Sequence, residues 1–140
     1  MIIGYGNELR GDDGIGPKIA ETIASWHLSS VKSLAVHQLT PELAADLATI
    51  DLAIFVDACM TNQPFDVQVQ SISPTTNGVF DGHISDPKSL LALTQSLYNH
   101  CPLAFLVTVP GVKFEISDRI SPIAQTGIAI ALTKIINILD

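Results

Sequence analysis

The sequence has 140 residues, of which 47% are hydrophobic and 15% charged, and this composition fits one domain spanning residues 1–140 with a single buried core. The formal net charge is −7, and the seven lysines and arginines form no basic stripe, which argues against a nucleic-acid partner. No apolar run approaches the ~20 residues of a membrane span and no signal peptide is visible, so we expect no membrane partner and a cytoplasmic location.

The chain opens with Ile2 and Ile3 and then enters a glycine-rich loop, Gly4–Gly16, which reads Gly-Tyr-Gly-Asn-Glu-Leu-Arg-Gly-Asp-Asp-Gly-Ile-Gly. Its five glycines allow turns with positive φ and close approach of the backbone to a ligand or to another part of the chain. Asp12 and Asp13 stand at the far end of the loop, just before a helical pattern. Taken alone, such a pair most often caps a helix.

The spacing of apolar residues predicts alternating helices and strands along the rest of the chain. Trp26 is expected in the core, and Pro110-Gly111 is expected to end the last strand. A buried strand is predicted to end at Asp57. In chain order, the predicted elements after the loop are a helix at 17–27, a strand at 31–38, a helix starting at 40–42, a strand at 52–56, a strand near 67–70, a helix at 86–98, a strand at 103–109 and a helix at 122–139.

This order predicts an α/β fold in which a sheet lies between two layers of helices. Right-handed crossovers place the second and third strands on either side of the first, while the strand near 67–70 is too close in sequence to be parallel and is expected at an antiparallel edge. The glycine loop and Asp57 then emerge at the same end of the sheet, so that Asp13 and Asp57 can face each other. With His83 they would supply two carboxylates and an imidazole, a set that suits a divalent transition metal, although a lone loop histidine is more often a surface residue.

The glycine loop resembles the opening signature of the hydrogenase maturation endopeptidases, Gly-x-Gly-Asn-x-Leu-x-x-Asp-(Asp/Glu)-Gly-x-Gly, which is matched from Gly4 to Gly16. The similarity extends over nearly the whole chain. It continues at Gln38-Leu39-Thr40-Pro41-Glu42-Leu43, Phe55-Val56-Asp57-Ala58, His83, Asp86-Pro87, Leu90-Leu91, Phe114-Glu115 and Ile120-Ser121-Pro122.

The resemblance implies a three-layer α/β/α fold with a five-stranded mixed sheet of order 2-1-3-5-4, in which strand 4 is antiparallel. It also implies a hydrolase, an aspartic-type endopeptidase that removes the C-terminal extension of a nickel–iron hydrogenase large-subunit precursor. Nickel already carried by the precursor would be recognised and bound transiently by Asp13, Asp57 and His83, and no organic cofactor is expected. Either aspartate could activate water as a general base. Asp12 is expected to cap the first helix or hold the loop, so that Asp12→Asn would lower stability by at most ~1 kcal/mol.

Two other classes of protein share part of this pattern. A phosphoacceptor receiver domain could use Asp12, Asp13 and Asp57, with Thr108 and Lys113 as partners, but it needs neither the glycine loop nor His83. A dinucleotide-binding domain is disfavoured because Leu9 stands where the third glycine of its fingerprint belongs.

Overall fold

A computed structural model of the chain describes residues 1–61, 66–75 and 86–140. The described residues form five strands, four α-helices and one 3₁₀ turn. In chain order these are β1 (Ile2–Tyr5), the 3₁₀ turn (Gly11–Gly14), α1 (Ile15–Ser25), β2 (Ser33–Val36), α2 (Leu43–Leu47), β3 (Leu52–Met60), β4 (Gln68–Ile72), α3 (Pro87–Tyr98), β5 (Leu103–Gly111) and α4 (Pro122–Leu139).

The five strands form one sheet in the order β2-β1-β3-β5-β4. β1 pairs in parallel with both β2 and β3, and β3 pairs in parallel with β5. β4 pairs antiparallel with β5 at the edge of the sheet. This order and the reversed edge strand confirm the mixed α/β sheet expected for the chain.

Helices cover both faces of the sheet and complete the three layers. On one face α1 and α4 pack on the strands, with Ile19 and Ile135 fully buried. On the other face α2 and α3 pack against the sheet around Leu47, Phe55 and Leu90, which are also fully buried. The continuously apolar strands β1 and β3 therefore lie between two helical layers, as parallel strands usually do.

Two boundaries differ from the sequence predictions because strand pairing decides them. β3 continues past Asp57 to Met60, since β5 pairs with it along its whole length. β5 likewise continues through Pro110 to Gly111, so these two residues do not end the strand. Pro110 is tolerated there because β4 pairs with β5 only as far as Thr108, leaving that side of β5 without a strand partner among the described residues.

The end of α1 also corrects one side-chain prediction. α1 runs from Ile15 to Ser25, and Trp26 follows it as the C-cap with 38% of its surface exposed. The expectation that Trp26 is part of the core was therefore wrong. The last deeply buried residue of this helix is Ile23, one turn earlier.

Among the described residues, α4 is one helix that is long and apolar enough to cross a membrane by length and composition, with a mean hydropathy of 1.4. Ala131 and Ile135 of this helix are buried in the core cluster on its side of the sheet. Core helices of globular proteins pass the same test, so the helix is weak evidence for a membrane span. The expectation that no apolar run approaches the length of a membrane span was therefore wrong. The expected lack of a membrane partner stays a prediction.

Candidate active site

Asp57 lies just beyond the point at which β1 stops pairing with β3. Pairing between β1 and β3 stops at Gly4 and Val56, whereas Asp57 still pairs with Thr108 of β5. Its carboxylate therefore stands at the carboxyl end of β1, at the point where the chain crosses to opposite sides of the sheet. Ligands of open α/β sheets bind at such a switch point.

The surroundings of Asp57 raise the pKa of its carboxyl group to about 6. Burial is the largest cause, and the negative charge of Asp13 acts in the same direction. Hydrogen bonds from the Tyr5 hydroxyl and from the Ala58 N–H oppose the shift because they favour the carboxylate. A carboxyl group with this pKa changes protonation close to neutral pH, as a general base or acid requires.

Tyr5, the last residue of β1, donates its hydroxyl hydrogen bond to Asp57. Burial, the charge of Asp57 and this hydrogen bond raise the pKa of Tyr5, and the charge of Asp86 adds to the effect. Asp86 caps α3 by accepting a hydrogen bond from the Ser89 N–H at 2.8 Å, as the sequence predicted. Tyr5 therefore stays a neutral donor, and the acidic residues near it make this end of the sheet electronegative.

Asp13 belongs to the 3₁₀ turn at the end of the glycine loop and is held by the loop itself. One of its carboxylate oxygens accepts the backbone N–H of Asn7 at 2.7 Å. Gly16 lets the start of α1 lie against the strand ends, because a Cβ there would be 2.6 Å from the carbonyl oxygens of both Tyr5 and Val56. This close approach brings the turn to β3, where the charge of Asp13 raises the pKa of Asp57.

Asp12 has a different environment from its neighbour. Its side chain is fully buried, and Oδ2 accepts the N–H groups of Val112 at 2.8 Å and Lys113 at 3.0 Å. The Ser121 N–H donates to Oδ1 and the Ser121 hydroxyl to Oδ2, both at 2.7 Å. Burial alone would raise the pKa of Asp12, but these hydrogen bonds together hold it below its usual value. The residue at the N-cap of α1 is Gly14, so Asp12 does not cap that helix and instead holds the loop.

These contacts also correct the expected contribution of Asp12 to stability. The sequence predicted a loss of at most ~1 kcal/mol for Asp12→Asn, by analogy with a helix cap. A fully buried carboxylate with four donors contributes more than a cap, because hydrogen bonds to a charged group are the stronger kind. Asp12 is therefore unsuitable as a neutral control.

Of the three residues predicted to hold a metal, Asp13 and Asp57 lie at the same end of the sheet and interact electrostatically. His83 lies outside the described residues. Within the described residues, no group of three or more histidine, cysteine or acidic side chains could hold a metal ion. Two carboxylates suit a divalent cation, and the imidazole of His83 as a third ligand stays a prediction.

The topology and Asp12 both disfavour a receiver domain. Receivers have a flavodoxin-like sheet in the order 2-1-3-4-5, whereas this sheet has the order 2-1-3-5-4 with an antiparallel edge. In addition, the Asp12 carboxylate is bonded to Val112, Lys113 and Ser121 and does not contribute to a cluster with Asp57. A receiver would need Asp12 and Asp13 to act together, but Asp12 is bonded to residues 112–121 and Asp13 to the glycine loop.

Comparison with known proteins supports the fold. No protein-family model and no curated protein matches the sequence. Solved structures do match: the hydrogenase 2 maturation peptidase of a Thaumarchaeota archaeon is 20% identical, with 99% of this chain and 96% of that chain covered and a TM-score of 0.74. The hydrogenase maturating endopeptidase HybD of E. coli is 24% identical, with 99% and 90% covered and a TM-score of 0.68. The NiFe hydrogenase maturation protease HycI of Thermococcus kodakarensis is 20% identical, also with 99% and 90% covered and a TM-score of 0.68.

At these identities the likeness establishes a common fold over nearly the whole chain. The structural neighbours are hydrogenase maturation proteases, as the signature in the glycine loop led us to expect. The likeness alone does not assign the substrates or ligands of those proteins to this chain.

Two features of the site were not predicted from the sequence. The hydrogen bond from Tyr5 to Asp57 could have been anticipated, since both residues stand at the ends of apolar runs that were predicted to be adjacent strands. The bonds between Asp12 and Ser121 could not, because 109 positions separate the two residues and no local pattern relates them.

Proposed function

We propose that this protein is an endopeptidase that removes the C-terminal extension of a nickel–iron hydrogenase large-subunit precursor. The observation that carries the proposal is that Asp13 and Asp57 lie at the same end of a sheet that has the fold of maturation proteases, close enough for the charge of Asp13 to act on Asp57. The two carboxylates come from different elements, the 3₁₀ turn and β3, so the fold and not a local motif brings them together. We further propose that the enzyme acts in the cytoplasm and uses no organic cofactor.

In the proposed reaction, nickel is cargo of the substrate. Asp13, Asp57 and His83 would contact the metal that the precursor carries, and the metal would mark the precursor as loaded and fix its position. With the precursor in place, Asp57 or Asp13 takes a proton from the attacking water. The pKa of about 6 suits Asp57 to this role, since it is mostly ionised at neutral pH and basic enough to accept a proton.

Tyr5 and Asn7 orient the two carboxylates for this work. The Tyr5 hydroxyl donates to Asp57, and the Asn7 N–H donates to Asp13. Each carboxylate is thus oriented by at least one donor of the protein and keeps further lone pairs that can accept a proton or a metal. In this sense the proposed enzyme is an aspartic-type endopeptidase.

Titration with metal ions tests the proposed donor set without any precursor. We expect Cd²⁺, Zn²⁺ and Ni²⁺ to bind with a stoichiometry of about one ion per chain and Mg²⁺ to bind poorly, because an imidazole ligand favours the softer ions. His83→Ala should lose this preference, whereas His37→Ala, which removes an exposed histidine, should keep it. Tight Mg²⁺ binding, or the same Cd²⁺ affinity in His83→Ala as in the wild type, would contradict the proposed site.

A further inference from the structure

Asp12 and Asp13 are consecutive residues whose carboxylates serve two different parts of the protein. Asp13 accepts the Asn7 N–H within the glycine loop, and its charge acts on Asp57. Asp12 is fully buried and bonded to residues about 100 positions away, beginning with Val112 at 2.8 Å. One short turn thus joins the candidate active site to the segment 112–121, which connects β5 to α4.

Backbone hydrogen bonds extend this connection along the loop. The Asp12 N–H donates to the Lys113 carbonyl at 2.7 Å, and the Gly11 N–H donates to the Ser117 carbonyl at 2.8 Å. In the other direction, the Ser117 N–H donates to the Leu9 carbonyl at 2.9 Å. Residues 9–12 are therefore fixed to the segment 112–121 by both main chain and side chain.

The contact leaves no spare volume at the end of β5. A Cβ on Gly111 would lie 2.9 Å from the Cβ of Asp12 and 2.8 Å from the ring of Phe114. The absence of a side chain at Gly111 therefore lets Asp12 reach the N–H groups that follow it. A carboxylate that is enclosed in this way and bonded on both oxygens has one position available to it.

We propose that Asp12 is a positioning residue for the reaction: its buried carboxylate, held by Val112, Lys113 and Ser121, sets the place of the Asp13 carboxylate relative to Asp57. This inference rests on the proposed function, in which Asp13 and Asp57 act as a pair. The Cα atoms of adjacent residues are ~3.8 Å apart across a rigid peptide, so a displacement of Asp12 is passed directly to Asp13. A misplacement of about 1 Å at a reacting centre can lower a rate by ~100-fold.

Asp12→Asn tests the proposal because it keeps the size of the side chain and removes one acceptor. If the amide oxygen of the new asparagine takes the place of Oδ2, its NH₂ group takes the place of Oδ1. Two donors, this NH₂ group and the Ser121 N–H, then point at each other. We expect kcat for precursor cleavage, per folded molecule, to fall by ~10- to 100-fold. KM should change by less than about twofold, since Asp12 does not touch the substrate and uniform binding is kept.

Amide hydrogen exchange of Asn7 provides a second readout that loss of stability alone would not change. The Asn7 N–H is bonded to Asp13, so its protection reports whether the Asp13 carboxylate is in place. We expect protection of this amide to fall in Asp12→Asn under conditions where circular dichroism shows a fully folded chain. Leu47→Ala is the matched control: it creates a cavity on the opposite face of the sheet, and both kcat per folded molecule and Asn7 protection should stay as in the wild type.

Ser121 provides an independent pair of variants if Asp12→Asn does not fold. Ser121→Ala removes the hydroxyl that donates to Asp12 at 2.7 Å, and Ser121→Thr keeps a hydroxyl there. We expect Ser121→Ala to lower kcat and Asn7 protection, and Ser121→Thr to restore both. Wild-type values of both quantities in folded Asp12→Asn or in Ser121→Ala would overturn the proposal.

The two hypotheses can fail separately in this experiment. If the wild type does not cleave the precursor, the proposed function is wrong, but Asn7 protection in the variants still decides whether Asp12 positions Asp13. If the wild type cleaves it and folded Asp12→Asn cleaves it equally fast with the same Asn7 protection, the function stands and the positioning role is wrong.

Discussion

Asp57→Asn is expected to stabilise the metal-free protein while removing its proposed activity. In the folded chain the carboxyl group of Asp57 has a pKa of about 6, against an ordinary value of 3.8, chiefly because it is buried. An acid whose pKa is raised by folding holds its proton more firmly in the folded state, so stability decreases as the pH rises from about 4 to about 6. At 1.36 kcal/mol for each pH unit, the two values correspond to about 3 kcal/mol of unfavourable free energy above pH ~6.

Asparagine has a similar size, carries no charge and can still accept the hydrogen bond from Tyr5. We therefore expect Asp57→Asn to raise the free energy of unfolding by ~1–3 kcal/mol at about pH 8 and by much less at about pH 4. Urea denaturation in the presence of EDTA, at several pH values, measures this difference. Asp51→Asn, which neutralises an exposed carboxylate, is the control and should change stability by less than ~0.5 kcal/mol throughout.

A gain that is the same at every pH would refute the reasoning, because the unfavourable term exists only where Asp57 is ionised. An Asp57→Asn protein that is less stable than the wild type at pH ~8 would also refute it. The predicted gain would mean that the fold accepts a destabilising charge at this position, which is common where a residue is needed for function.

Two further predictions concern the residues that hold the glycine loop. Asp12→Asn should lower the free energy of unfolding by ~2–4 kcal/mol at neutral pH, because a buried, hydrogen-bonded charge is lost. Urea denaturation measures this loss, and a value below ~1 kcal/mol would contradict the prediction. Since hydrogen bonds keep the pKa of Asp12 below 3.8, this contribution should be present above that pH and lost in acid. Gly16→Ala should lower stability by ~3 kcal/mol in thermal unfolding, since its Cβ would meet the carbonyl oxygens of Tyr5 and Val56 at 2.6 Å; wild-type stability would mean that the loop can move away.

The order of the strands was predictable because general rules of chain topology decide it. Right-handed crossovers place β2 and β3 on either side of β1, and a short connection makes β4 antiparallel. The same rules placed Asp13 and Asp57 at one end of the sheet. The order at the far edge, with β5 inside β4, was implied by the family resemblance and is confirmed.

Two of the wrong predictions share a physical cause, which is that contacts distant in sequence outweigh local preference. Pro110 and Gly111 are local strand breakers, yet they continue β5 because β3 lies beside them. Asp12 looks like a helix cap in its local sequence, but its donors belong to residues 112–121. Trp26 is a different case, since it continues the apolar spacing of α1 but the helix ends one residue before it.

Cleavage of a nickel–iron hydrogenase large-subunit precursor, prepared with and without nickel, tests the central claim most directly. The wild-type protein should shorten the loaded precursor at its C-terminus and leave the nickel-free precursor intact, as mass spectrometry of the products would show. Asp57→Asn, folded by circular dichroism, should cleave neither form. Equal cleavage of both forms would contradict the role of nickel as the recognition element, and no cleavage of either form by the wild type would contradict the proposed function.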